Sequence, residues 1–299
     1  MGARRDYQAA DEAIAAHGFA FLREQDAGLW EELRILTEDL TAAPAAGLLS
    51  INCLGPMEVR KDGVLLDTWP RRKAKVVLAA LALYRRGVDA MDLAEVLSQG
   101  EVSSGNIQSL QMSVSALRRV LEPQLQGQRE ASRYVMHKDD RYLLNWSNLE
   151  FLDLTAFDQA CDKGLALRQA KPFDAAEAFE RALAHSRGPL LSDALFGGHF
   201  DAERQHYRVR ALEMLHWLGG HYGRLMQNAK AESAFGRAVA LAPTDEETYL
   251  AFMGHFLAAG RPDRIRQLYW DCRKALKAQL GLAPSAEFEG AYEGMGLGG

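Results

Sequence analysis

Cysteine is scarce in this chain of 299 residues: Cys53, Cys161 and Cys272 stand far apart with no CxxC spacing. That excludes a disulfide framework and offers no zinc ligand set, so each is expected to fill a core position. Long apolar runs are missing too; none approaches the ~18 residues a membrane helix needs. The N-terminus lacks the charged-then-apolar layout of a signal peptide, and Asp6 stands where a myristoylation pattern requires Ser or Thr. The expectation is a cytoplasmic protein with no membrane partner. No HExxH, GxSxG or P-loop pattern occurs, and the acids form no pair suited to general acid–base work. His216 and His221 are five apart rather than four, and His199 and His206 have no carboxylate placed as a third ligand. These absences predict a non-enzyme with no catalytic residue, metal site or cofactor.

What is present is a globular composition, 48% hydrophobic and 25% charged, in a chain long enough for two or three domains. The net charge of −5 hides an uneven distribution. Residues 1–48 carry four cations against nine anions, residues 49–149 fourteen against eleven, and residues 150–299 seventeen against twenty. Only the middle third is positive, and local field rather than global charge steers a polyanion.

Hydrophobic spacing divides the chain in the same places. Residues 5–40 read as two helices, with Ile14, Phe21, Leu29, Leu33, Leu36 and Leu40 at helical spacing, followed by the Pro-broken linker "TAAPAAG". From residue 49 the period shortens to that of two or three strands, with Lys61-Asp62-Gly63 as a hairpin turn. The segment "RRKAKVVLAALALYRR" then predicts a helix with Val77, Leu78, Leu81 and Tyr84 as its inward stripe, stopped by Gly87. "DAMDLAEVL" gives a short second helix. In "NIQSLQMSVSALRRVLEP" the apolar positions Ile107, Leu110, Val114, Leu117 and Leu121 recur at intervals of three and four, which makes a third. Two short strands around Lys138-Asp139-Asp140 follow. Beyond Phe151 the chain reads as helical almost to its end. There Leu218, Gly219, Tyr222, Ala231, Phe235, Ala238 and Pro243 fall on the signature positions of a 34-residue tetratricopeptide repeat, with partial matches at Ala175, Phe179 and Ala182 and again at Tyr249, Phe256 and Tyr269. About three stacked helix pairs are expected.

The predicted fold is therefore mainly α with a small β component. A helical extension and linker (1–48) precede a winged helix-turn-helix domain (49–149), a TPR-like helical repeat domain (150–293) and a flexible Gly-rich tail (294–299). In a winged helix the third helix enters the major groove and the hairpin wing reaches the backbone or minor groove. The polar face of that helix carries Gln108, Gln111, Met112, Ser115, Arg118 and Arg119, and the wing offers Arg133, His137, Lys138 and Arg141. Arg71, Arg72 and Lys73 sit where they oppose a helix macrodipole, so helix stability does not explain them. Phosphate is one partner for such cations; a solvated charge run is the other reading. Asp139 and Asp140 at the wing tip repel phosphate.

The order of "WPRRKAKVVLAALAL", "LQMSVSALRRVLEP", "YLLN", "LDLTAFDQA" and "EETYLAFMGHFLAAGRPDRIRQLYWDCRKALKAQLGLAPS" resembles the SARP-type bacterial transcriptional activators over residues 49–293. In that family an OmpR-like winged helix precedes a bacterial transcriptional activator domain of TPR-like helices. The resemblance implies sequence-specific binding to double-stranded DNA, commonly to promoter direct repeats by two protomers, and activation by contact with RNA polymerase and its sigma factor. By position, it places Arg71, Arg72 and Lys73 at the family's basic helix start, and Arg118 and Arg119 at the end of the recognition helix. Ala116 stands where the family usually has an Arg, and Leu97-Ser98 where it has "LW". The alternative is a TPR-type protein-interaction module whose winged helix has lost useful DNA affinity. A small-ligand sensor lined by Trp217, Tyr222 and Trp270 is a third reading, although aromatics at this spacing are more often core.

Overall fold

The computed structural model describes residues 47–98, 104–123 and 132–297. The two N-terminal helices expected over residues 5–40 lie outside them. The chain divides into two compact units.

The first unit, up to Leu152, is built on a four-stranded sheet in the order β3-β2-β1-β7. Strands β1 (Leu49–Asn52), β2 (Glu58–Lys61) and β3 (Val64–Leu65) are antiparallel neighbours. Lys61 pairs with Val64, so Asp62 and Gly63 form a two-residue turn with φ of 51° and 77°, as Asp-Gly favours. Strand β7 (Leu149–Leu152) returns to pair in parallel with β1. It carries the unit past residue 149, a return that a four-residue run with no hairpin partner does not announce.

Three helices follow the first strands: α1 (Arg72–Leu83), α2 (Ala90–Ser98) and α3 (Ser104–Leu121). Val77, Leu78 and Leu81 of α1 are buried as expected, but Tyr84 is 38% exposed because the helix ends before it. On α3 the residues Leu110, Val114, Leu117 and Leu121 are buried, each contributing about 1.5–3 kcal/mol relative to exposure. The wing is a three-stranded sheet in the order β4-β6-β5, formed by β4 (Val88–Asp89), β5 (Val135–Lys138) and β6 (Arg141–Leu144).

The second unit is helical: α4 (Asp153–Leu167), α5 (Pro172–His185), α6 (Asp201–Arg224), α7 (Asn228–Leu241), α8 (Glu246–Ala258), α9 (Pro262–Leu280) and α10 (Ala286–Tyr292). The repeat signature has a steric content. A Cβ added to Gly219 on α6 meets the Phe235 ring of α7 at 2.6 Å, and one added to Gly164 on α4 meets the Phe179 ring of α5 at 2.4 Å. A helix pair with a buried phenylalanine between its members therefore requires glycine opposite it. In the third pair, α8 and α9, Met253 takes the glycine's place, and Ile265, Tyr269 and Cys272 fill the space. Gly219→Ala should destabilise the chain by about 1–3 kcal/mol in denaturant unfolding, whereas Gly236→Ala, whose Cβ meets nothing within 4 Å, should not.

Residues 293–297, which overlap the flexible tail expected over 294–299, form a π-type turn after α10. Met295 packs against the cluster around Tyr269 and Phe288, which explains the order.

Burial lowers the pKa of His221 and of His255, with Arg224 adding to the first effect and Arg261 adding to the second against Glu232. Both rings are therefore neutral in the fold at pH values where an unfolded histidine, near 6.5, takes up a proton. Stability should be insensitive to these groups above about pH 7 and should fall as pH drops through about 6.5. A chain with both histidines replaced by asparagine should lose less melting temperature on acidification than the parent.

Candidate nucleic-acid interface

Helix α3 presents two faces. Opposite its buried stripe, Gln108, Gln111, Met112, Ser115 and Arg119 are exposed, at intervals of three, one, three and four residues that place them side by side. Met112 is 51% exposed, although nothing in the fold compels a methionine to face water. Among the described residues, the amide, hydroxyl and guanidinium groups of this face have no structural duty beyond a 3.4 Å contact from Arg119 Nε to the Ser115 carbonyl. Amide and hydroxyl groups recognise base edges, and guanidinium recognises either guanine or phosphate.

The cations expected beside this face divide into two groups. Arg72 and Lys138 are exposed, as is the Arg133 side chain, and Lys73 is half-buried. Arg71, Arg118 and Arg141 instead bond inward. Arg71 occupies the N-cap position of α1 without capping it, and donates from Nε to Ser113 Oγ at 3.0 Å and from Nη2 to Ser109 Oγ at 3.2 Å. It thus fastens the start of α1 to α3. Ser113 in turn donates to the Ser109 carbonyl at 2.7 Å. Arg118 donates from Nη2 to the Val135 carbonyl at 2.9 Å, fastening α3 to the wing. Arg141 Nη2 reaches the Gly87 carbonyl at 2.8 Å. These contacts account in part for the basic start of α1: Arg71 is held by two serine hydroxyls, and its neighbour Arg72 faces solvent.

Glu122, fully buried, completes the frame. Its carboxylate accepts from Ser132 Oγ at 2.5 Å and from the Arg133 amide at 3.0 Å, tying the end of α3 to the start of β5. Lys61 Nζ donates to the Leu121 carbonyl at 2.6 Å and neutralises the negative end of α3. Tyr134 donates to the Gly47 carbonyl at 2.5 Å, and its phenol is pushed up to about 12 by burial, with the Asp62 and Glu122 carboxylates adding to it. Sequence reasoning missed Ser109, Ser113 and Glu122. Their signal was faint: two serines four apart at the border of the apolar stripe, and one acid just past its end.

Ala116 is buried, so in this chain that position belongs to the packed side of α3 rather than to its exposed face. The wing tip has Asp139 and Asp140 at φ of 50° and 58°, the left-handed pair a two-residue hairpin turn needs, with Lys138 and Arg141 paired beneath them. Asn-Gly at these positions adopts the same turn without the charge. Asp139→Asn with Asp140→Gly should leave the fold intact and raise affinity for duplex DNA severalfold at low salt, as read by fluorescence polarisation.

Among the described residues no group of three or more His, Cys, Asp or Glu side chains is placed to hold a metal ion. None of the described helices is long and apolar enough to cross a membrane.

With this geometry established, comparison with known proteins places the second unit. Residues 152–294 match the bacterial transcriptional activator domain, beginning where the helical unit begins. The solved structure of Mycobacterium tuberculosis EmbR in complex with a low affinity phosphopeptide shares the fold, with a TM-score of 0.62 at 20% identity over 83% of this chain. The match spans 65% of the EmbR chain. No curated protein matches the sequence. Residues 152–294 therefore carry a bacterial transcriptional activator domain, and the chain as a whole shares its fold with EmbR.

Proposed function

We propose that the chain binds double-stranded DNA sequence-specifically through the exposed face of α3 and activates transcription from the promoters it occupies. The observation that carries this reading is the polar strip Gln108, Gln111, Met112, Ser115 and Arg119, exposed on a helix whose other face is buried. Gln108, Gln111 and Ser115 read base edges, and Met112 offers an apolar contact to a thymine methyl. Arg72, Lys73, Arg119, Arg133 and Lys138 contact phosphates and set register and affinity. Arg71, Arg118 and Arg141 act one step back, by holding α3 and the wing in a fixed mutual position. The activator domain supports the further step of contact with RNA polymerase and its sigma factor, and binding of two protomers to direct repeats, both as the family leads one to expect.

A titration against duplexes drawn from promoter sequences, at two salt concentrations and with non-specific competitor, tests the DNA-reading part. Gln111→Ala should relax discrimination at one base pair, by about 1–3 kcal/mol, with little change in non-specific affinity. The interaction-module reading draws support from the acidic wing tip and from the three arginines bonded inward. On that reading, no duplex would be bound even at low salt.

A further inference from the structure

The first turns of α6 border a cavity of about 370 Å³ whose lining lies wholly in the second unit, Leu54 belonging to it through its bridge to Leu190. The floor is apolar: Leu54, Phe157, Leu190 and Ala211 are each at most 5% exposed. Asp201, Arg204, Gln205, Arg208 and Ala211 follow one another at intervals of three, one, three and three residues, so one face of α6 makes a wall. Arg204 is committed to the fold. Its Nε donates to the Leu190 carbonyl at 3.0 Å, its Nη2 to the Leu191 carbonyl at 3.1 Å and its Nη1 to the Asp201 carboxylate at 2.6 Å. The two carbonyl bonds fix a turn in which Leu191 takes a left-handed φ of 48°, a costly conformation for a branched side chain. The wall is thus pinned to the floor, and the cavity keeps its shape without a ligand.

Arg208 differs. It is exposed at the rim, and its guanidinium bonds no group among the described residues; nor do the exposed Gln205 amide and the half-buried Ser186 hydroxyl beside it. An apolar floor beneath a free guanidinium, an amide and a hydroxyl suits a ligand with an apolar body and one anionic end. Asp201 lines the same cavity, and its carboxylate opposes a dianion such as phosphate. At about 30 Å³ for each water-sized group, the space holds roughly twelve of them. We propose that this cavity binds a monocarboxylic acid of about ten to twelve non-hydrogen atoms, with its carboxylate on Arg208 and its apolar body against Leu54, Phe157 and Leu190. Trp217, Tyr222 and Trp270, the residues expected of a sensor groove, lie outside it. The assignment does not rest on DNA binding.

Isothermal titration calorimetry of the full-length chain with phenylbutyrate tests it, with phenylbutanol as the neutral control of the same body. The acid should bind saturably at one site with a Kd of about 1 mM or below, and the alcohol at least about tenfold more weakly. Arg208→Ala should weaken the acid about tenfold, to the level of the alcohol, and Gln205→Trp, which fills the rim, should weaken it as well. Both positions are exposed, so neither change should shift the melting temperature. Arg266→Ala, which removes an exposed arginine of α9 that does not line the cavity, should bind the acid as the parent does. Absence of binding at about 10 mM acid would overturn the proposal, as would equal affinity for acid and alcohol or undiminished affinity in Arg208→Ala. Displacement of the acid by inorganic phosphate at similar concentration would overturn it in favour of a simple anion site.

Discussion

Replacing Arg72, Arg119 and Lys138 together by alanine should lower affinity for duplex DNA about a hundredfold near physiological salt, and flatten the salt dependence. Each phosphate contact contributes roughly −0.9 to the slope of log affinity against log salt, so three contacts account for about −2.7. All three side chains are exposed, and the one carbonyl contact among them, from Arg119 Nε to Ser115 at 3.4 Å, stays within α3, whereas Arg71 and Arg118 join separate elements. The melting temperature should therefore stay within a degree or two of the parent. Arg118→Ala provides the contrast. It removes the bond to the Val135 carbonyl, so it should weaken binding by loosening the wing while changing the salt slope by less than one contact. If the triple variant bound as tightly as the parent, the exposed cations would have no share in the interface.

The second large effect concerns Glu122. The chain leaves α3 at this residue and returns at Ser132, and the buried carboxylate bonds the returning end through a hydroxyl and a backbone amide. Glu122→Ala leaves a buried hydroxyl and a part-buried amide without this acceptor, at a cost of about 2–4 kcal/mol in denaturant unfolding. Glu122→Gln keeps one acceptor oxygen and should cost about half as much. DNA affinity should fall in both variants, and more for alanine, because the wing then loses one of its ties to α3 and keeps the Arg118 bond to the Val135 carbonyl. A Glu122→Ala chain as stable as the parent would mean that the junction is held by other contacts.

Much of this organisation could be read from the chain itself, for physical reasons that differ by element. The stripe of α3 was legible because helical periodicity over four turns leaves little choice about which face is buried. The repeat unit was legible because its signature is steric: Gly219 against Phe235 is a constraint that few other residues satisfy. Strand β7 and the two-residue strands β3 and β4 carry too little pattern to announce themselves; their places are set by pairing with distant residues. Positive charge was the least informative signal. Arg71, Arg72, Arg118 and Arg119 look alike in sequence, yet in each neighbouring pair one bonds a serine hydroxyl or a wing carbonyl while the other faces solvent. Which arginine is which depends on helix phase and on an acceptor elsewhere in the chain, and neither is written locally. Ser109, Ser113 and Glu122 were missed for the same reason, since their roles exist only once α1, α3 and the wing are assembled.

The central claim is that the exposed face of α3 reads duplex sequence, and it is tested most directly by fluorescence polarisation of the full-length chain against a pool of promoter duplexes. The titration is run at about 50 mM and about 200 mM salt with excess competitor DNA, alongside Gln111→Ala. Sequence reading by α3 requires binding that weakens steeply with salt, survives competitor for a subset of duplexes, and loses its preference at one base pair in the variant. Binding absent at the lower salt, or erased equally for every duplex by competitor, would contradict it.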